Sequence, residues 1–203
     1  MTVRYRLSFT TGGLFVREAP MIATCYHSQR DWRTTRDKVR NENLLQVRTT
    51  AAATRISKEV TARLEQLEED EINALLDSSR RDQGHLLWVA ACRRYTFIRE
   101  FAIEVLREHH LSLRRELSFG DFDSFYNSKA LWHSELDELA QSTQLKLRQN
   151  LFRMMREADL ISEMHVIQPA LLSPHVAELL ARRGGEDLMI FPISDSEIQR
   201  WLA

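Results

Sequence analysis

The stretch Gln83–Leu106, QGHLLWVAACRRYTFIREFAIEVL, constrains this chain more than any other. Nothing else in the sequence is as apolar over such a length. Its pattern predicts two consecutive helices with a break near Tyr95. In the second, Ile98, Phe101, Ala102 and Val105 recur at i, i+3, i+4 and i+7, one apolar stripe of an amphipathic helix. The first carries Leu86, Leu87, Ala90 and Ala91 at compatible spacing, with Trp88 adding bulk. Arg93 and Arg94 interrupt the run well short of the roughly 20 residues a bilayer requires, so it is not a membrane span. A core element this apolar needs other helices around it, and the rest of the chain supplies them.

The flanking segments read as helical modules. At 203 residues the chain is long enough to bury a sizeable core. Only six Gly and four Pro, among abundant Leu, Glu, Arg and Ala, favour long helices over strands. Arg4–Phe9 is a short extended segment, punctuated by Thr10-Thr11-Gly12-Gly13. A helix is expected from about Leu14 to His27, with Pro20 a kink or a restart. Asp31 is the N-cap of a short helix to about Glu42 that turns Trp32 and Val39 inward. Asn43–Gln46 is a tight connection. A long helix follows from about Thr50 to Leu67, with Ala53, Ile56, Val60, Leu64 and Leu67 on one face. Glu65–Asp77 reads as a solvated acidic shoulder.

Beyond the hub, Ser118 and Asp121 have capping-box spacing for a helix carrying Phe122, Phe125 and Tyr126. Ser134 and Asp137 repeat that spacing. A strong helix is predicted over about Thr143–Ala158, and Leu160–Gln168 alternates loosely, as a small hairpin closed by Pro169 would. Ser173-Pro174 opens another helix, Gly184-Gly185 ends it, and Ser194 with Glu197 starts a last one. The expected fold is all-α, a compact multi-helix globule with two helix-turn-helix-like units. Residues 1–79 form an N-terminal module, 80–115 a central apolar helix pair, and 116–203 a C-terminal, winged-helix-like module whose wing is the hairpin.

Enzymatic motifs fail one by one. There is no GxxxxGK[ST], no GxGxxG after a strand, no HExxH and no GxSxG. Gly12-Gly13 offers backbone amides to a phosphate, but glycine pairs ordinarily mark plain turns. Of the seven histidines only His109 and His110 adjoin, and neighbours in sequence do not share a helix face. Cys25 and Cys92 form no CxxC and read as buried free thiols of a reducing compartment. The start, MTVRYRLSF, is charged and lacks the apolar core of a signal peptide. The expectation is a cytoplasmic monomer that is not an enzyme and uses no metal or cofactor.

Charge distribution is more informative than the net charge of −1. Between Arg30 and Arg63 nine Lys/Arg face four acids. On the Thr50–Leu67 helix, Ala51, Thr54, Arg55, Lys58 and Ala62 lie opposite the apolar stripe. Small residues beside cations allow close approach to DNA, cations to phosphates and Thr or Arg to base edges. Arg33, Arg36, Arg40 and Arg48 on the preceding helix and connection add to this surface, whose order is that of a helix-turn-helix. The bland alternative is a solvated amphipathic face. The Thr143–Ala158 helix repeats the arrangement: Leu147, Leu151, Met154, Met155 and Ala158 inward, Lys146, Gln149, Asn150, Arg153 and Arg156 outward. Gln and Asn bond bidentately to adenine, Arg to guanine.

Several segments also resemble a known family. Ser8-Phe9-Thr10 with Gly12-Gly13-Leu14, and Asn43-Leu44-Leu45-Gln46 with Arg48, are similar to segments of the BrxA proteins of bacteriophage-exclusion (BREX) systems. So are Leu86-Leu87-Trp88 with Cys92-Arg93-Arg94-Tyr95, Phe101-Ala102 with Glu104–Glu108, Asp121-Phe122-Asp123, Trp132-His133 and Leu151–Met154. The resemblance spans nearly the whole chain. It implies an all-helical component of a system that marks host DNA by methylation and blocks replication of unmarked phage DNA. It also implies double-stranded-DNA binding through helix-turn-helix elements, and it brings no catalytic motif. The hairpin segment Ser162–His165 lacks the Asn or Gly of a tight two-residue turn. Four readings compete: a double-stranded-DNA-binding accessory protein, an adaptor that docks other BREX proteins, an RNA-binding bundle and, last, an enzyme.

Overall fold

A computed structural model describes residues 4–203. Its centre is the expected hub. Helix α5 (Arg80–Arg94) is opened by Ser79, whose hydroxyl accepts from the Asp82 amide at 3.2 Å. Every residue from Gly84 to Cys92 is buried, so this helix is enclosed on all sides. Trp88 is fully buried, and its indole N–H donates to the Ile190 carbonyl at 3.1 Å. Tyr95, in extended conformation, breaks the chain and starts α6 (Thr96–Phe101). Gly84 is needed for packing, because a Cβ there would lie 2.9 Å from the Glu157 carbonyl oxygen of another helix.

The second hub helix departs from the expected stripe. After Phe101 it widens into a π-helix, Ala102–Arg107, before α7 (Glu108–Leu111). Each residue there advances less around the axis than in an α-helix, so the inward face slips by one position. Leu106 and Arg107 are buried, and Val105 is only half-buried. Phe97 and Phe101 from α6 meet Phe125 edge-on at centroid distances of 5.2 and 5.3 Å. That contact joins the hub to the C-terminal helices.

On the N-terminal side, residues 4–17 run as irregular chain with Tyr5 and Phe9 buried. Tyr5 stacks on His133 at 3.8 Å, and its amide donates to Glu135 at 2.5 Å. Helix α1 (Glu18–Gln29) begins later than Leu14, which puts Pro20 in the first turn, where its missing N–H costs nothing. Helix α2 (Trp32–Asn41) is capped by Asp31, whose carboxylate accepts from the Thr34 amide at 2.6 Å. Val39 is buried, and Trp32 stacks on Tyr26 at 3.7 Å. Helix α3 (Thr50–Leu64) is capped by Thr49 and ends a turn earlier than its apolar stripe.

The acidic shoulder is not simply solvated. Part of it is helix α4 (Glu69–Asp77), which buries Glu71, Ile72, Ala74 and Leu75. Glu71 is fully buried and takes two hydrogen bonds from Arg93, at 2.6 and 2.7 Å, with Arg183 at 3.3 Å. A buried carboxylate requires such partners, since an isolated one would be strongly disfavoured.

The C-terminal part contains α8 (Phe119–Ala130), α9 (Ser134–Asp137), α10 (Gln141–Glu157), α11 (Pro174–Ala181), a 3-10 turn over Glu186–Ile190 and α12 (Asp195–Leu202). The capping boxes at Ser118–Asp121 and Ser194–Glu197 form as expected. At α9 the N-cap is His133 rather than Ser134, and no side chain caps it.

The hairpin exists, by a different turn. Ile161 pairs antiparallel with Ile167, and Glu116 joins alongside at Val166. Ser162 N–H donates to the Val166 carbonyl at 2.8 Å, and His165 N–H to that of Ser162 at 2.9 Å. His165 takes the left-handed conformation at φ 59°. Here a longer turn with one left-handed residue replaces the two-residue type, so neither Asn nor Gly is required. His165 is held in place between the rings of Phe119 and Phe152, at 5.1 and 4.9 Å. One cluster of buried side chains runs through all these elements except α7.

Candidate nucleic-acid interface

The exposed cations lie on helices fixed from behind by the hub. Val60 and Leu64 bury the inner face of α3, which leaves Thr54, Arg55 and Lys58 exposed. Among the described residues, neither Arg55 nor Lys58 pairs with a carboxylate, and the same holds for Arg33 and Arg48. Arg36 pairs with Glu65 at 3.2 Å and Arg40 with Asp37 at 3.0 Å. Arg36, Arg40, Thr54 and Lys58 line one cleft of about 310 Å³ between α2 and α3. The connection between these helices, residues 42–49, is longer than the roughly three to four residues of a tight helix-turn-helix. It turns through left-handed Asn43 and Gln46 and buries Leu45.

On α10, Leu147, Leu151, Met154 and Met155 are buried as expected. Lys146 and Gln149 are exposed and without partners among the described residues. The others are engaged within the fold. Asn150 donates its amide to the Phe9 carbonyl at 3.0 Å. Arg153 bonds Glu157 at 2.7 Å, and Arg156 approaches Glu163 at 3.4 Å and the His165 ring at 3.3 Å. Burial first, and then the Arg156 charge, push the His165 imidazole below its ordinary pKa.

The two basic helices, far apart in sequence, converge on one place. Arg55 of α3 and Arg153 of α10 line a cleft of about 390 Å³ with Arg17 and the Gly12-Gly13 turn. Arg17 carries no carboxylate partner among the described residues either, and nothing in its sequence neighbourhood marks it. Gly12 sits at φ 67°, a conformation that favours glycine. The turn is anchored from beneath by Arg63, only 3% exposed, which donates to the Gly13 carbonyl at 2.7 Å and to Glu59 at 2.8 Å. No group of three or more His, Cys, Asp or Glu among the described residues is placed to hold a metal. Among the described residues no helix is long and apolar enough to cross a membrane.

The fold and this surface define a small all-helical protein with two cationic helices on a common core. The BrxA family profile matches residues 3–184. The chain belongs to the BrxA family. It is similar to "BREX protein BrxA" of Escherichia coli O9:H4 (strain HS), 25% identical over 180 residues, covering 88% of this chain and 84% of that protein. A crystal structure of an uncharacterized protein from Magnetospirillum magneticum has the same fold, with a TM-score of 0.80 at 21% identity. That match covers 94% of this chain and all of the other.

Proposed function

We propose that this chain is a double-stranded-DNA-binding accessory protein of a bacteriophage-exclusion defence system. It acts by binding rather than catalysis, as a cytoplasmic monomer that contacts other BREX proteins. The observation that carries this reading is the outward face of α3, where Arg55 and Lys58 stand exposed beside Thr54 and form no ion pair among the described residues. Cations left unpaired by their own fold neutralise phosphates, and DNA is the polyanion that fits a helix face. Helix α10, preceded by α8 and α9 and followed by the 161–167 hairpin, has the element order of a winged helix, and α1–α3 that of a three-helix DNA-binding unit. In the family relative the word BREX is part of the protein's name.

One observation favours a second reading, an adaptor for other defence proteins. Leu131 and Trp132, between α8 and α9, are 78% and 77% exposed, an apolar knob that DNA would not cover. Gel shifts with duplex DNA, duplex RNA and single strands, at several salt concentrations and with a chelator present, separate the readings. Duplex DNA is expected to bind without nucleotide or metal, less tightly as salt rises. Binding that requires ATP, or vanishes with the chelator, contradicts the proposal. No binding to any nucleic acid leaves the adaptor.

A further inference from the structure

The cleft shared by α3 and α10 already contains an anion, supplied by the protein itself. Glu157, at the end of α10, puts one carboxylate oxygen 2.5 Å from the Leu14 amide, and the other accepts from Arg153 Nε at 2.7 Å. Gly13 leaves room for it: a Cβ there would collide with this carboxylate. A backbone amide, a guanidinium and a glycine turn around a tetrahedral-sized space are what a phosphate group needs. The same cleft is lined by Arg55 and Arg17, neither paired with a carboxylate among the described residues, and by Glu18 at its edge. The Glu157 side chain is 20% exposed and that of Arg153 57%, so the seat opens to solvent.

We propose that Glu157 is an internal stand-in for a DNA phosphate, and that the cleft it occupies is where one strand of a duplex crosses from α3 to α10. The reading rests on DNA binding as proposed above, and it adds that both helices engage the same duplex. On binding, a backbone phosphate takes the Leu14 amide and the Arg153 guanidinium, and the Glu157 carboxylate swings out to water. The carboxylate therefore competes with DNA and sets a threshold that only a well-placed phosphate passes. Arg63, buried beneath the turn, keeps the seat in shape whichever anion fills it.

Glu157→Gln keeps the size of the side chain and removes the competing charge. Titrated with a short duplex at fixed salt, this variant is expected to bind roughly tenfold tighter than wild type, the scale of one charge-assisted hydrogen bond. Glu178→Gln changes the net charge equally at an exposed site on α11, outside the cleft and without an ion-pair partner among the described residues, and should produce little of that gain. In Glu157→Gln/Arg153→Ala the gain should disappear, because the guanidinium that receives the phosphate is gone. Equal gains from Glu157→Gln and Glu178→Gln, or a gain that survives loss of Arg153, overturn the proposal in favour of general charge. If Glu157→Gln unfolds, Arg55→Ala and Arg153→Ala, both at exposed side chains, give an independent test. Because the same strand passes both through this one cleft, they must combine non-additively, and strict additivity rejects the bridge. Should wild type not bind duplex at all, the functional proposal itself fails, an outcome distinct from any of these.

Discussion

Helices α3 and α10 are built alike and end up different. Each buries one apolar face and turns cations outward, yet α3 keeps Arg55 and Lys58 unpaired while α10 commits most of its polar face to the fold. Arg148, on the flank of α10, pairs with Asp123 at 2.7 Å and lies over the Phe119 ring. A cation that already holds a carboxylate must exchange it for a phosphate, so little net attraction remains. Two faces that look equally basic in sequence are therefore unequal in the cations they leave free. On the proposed function α3 is the main grip, and α10 adds Lys146 and Gln149, with Arg153 once Glu157 is displaced.

The largest test asks whether the two helices stand on one support. Trp88 is fully buried in the hub, against which both helices pack. Trp88→Ala should cost about 3–5 kcal/mol and lower a single cooperative melt. Two separate transitions, with one helix unit unaffected, would make α3 and α10 parts of independent domains and dissolve the comparison.

The difference in grip is read from salt dependence. Replacing Arg55 and Lys58 together by Ala should flatten the log–log slope by up to about 2, near 0.9 for each lost phosphate contact. Replacing Lys146 and Arg153 should flatten it by about half as much, since Arg153 starts out engaged with Glu157. Stability should change by no more than about 0.5 kcal/mol in either variant. Exposed Arg182, at the C-terminal end of α11, is the control whose loss leaves the slope unchanged. Equal slopes for both double variants would place the two faces on the same footing. No change in either would leave DNA binding elsewhere.

The smallest effect separates the two regions by acid. In the hairpin behind α10, burial holds His165 below its ordinary 6.5, so the unfolded chain takes up the proton first. Stability from this site is complete above about pH 6.5 and declines as pH falls below it. In the α2–α3 region, the hydrogen bond from the Thr34 amide holds Asp31 below its ordinary 3.8. Its contribution is present above that value and is lost only as pH falls further, through the folded pKa. Melts between pH 7 and 5 should therefore decline less in His165→Phe than in wild type, and Asp31→Asn should change nothing in that window. The reverse ranking would show the acid-sensitive site to lie near α2.

Much of this fold is written in short-range signals. The caps at Asp31, Ser118, Ser173 and Ser194 each involve groups a few residues apart, and each forms where its spacing indicates. The hub is legible because an apolar run with a helical period has one low-energy destination, the interior. The faces of α3 and α10 follow from the same periodicity. The π-helix at Ala102–Arg107 was hidden, because its register comes from packing Leu106 and Arg107 inward rather than from any local preference. The hairpin turn was hidden too, since His165 has no intrinsic reason to go left-handed until Phe119 and Phe152 hold its ring.

What the chain order alone determines is which residues are helical, which faces are apolar and which carry charge. Only the tertiary structure decides which charges remain free. Glu71 reads as a solvated acid until Arg93 and Arg183 arrive from distant parts of the chain. Glu157 lies one helical turn from Arg153, and only folding brings it to the Leu14 amide, 143 positions away. Charge is a property of the residue, but its availability to a ligand depends on which opposite charge the fold sets within hydrogen-bond reach. That proximity is a long-range outcome of packing, which no local pattern encodes.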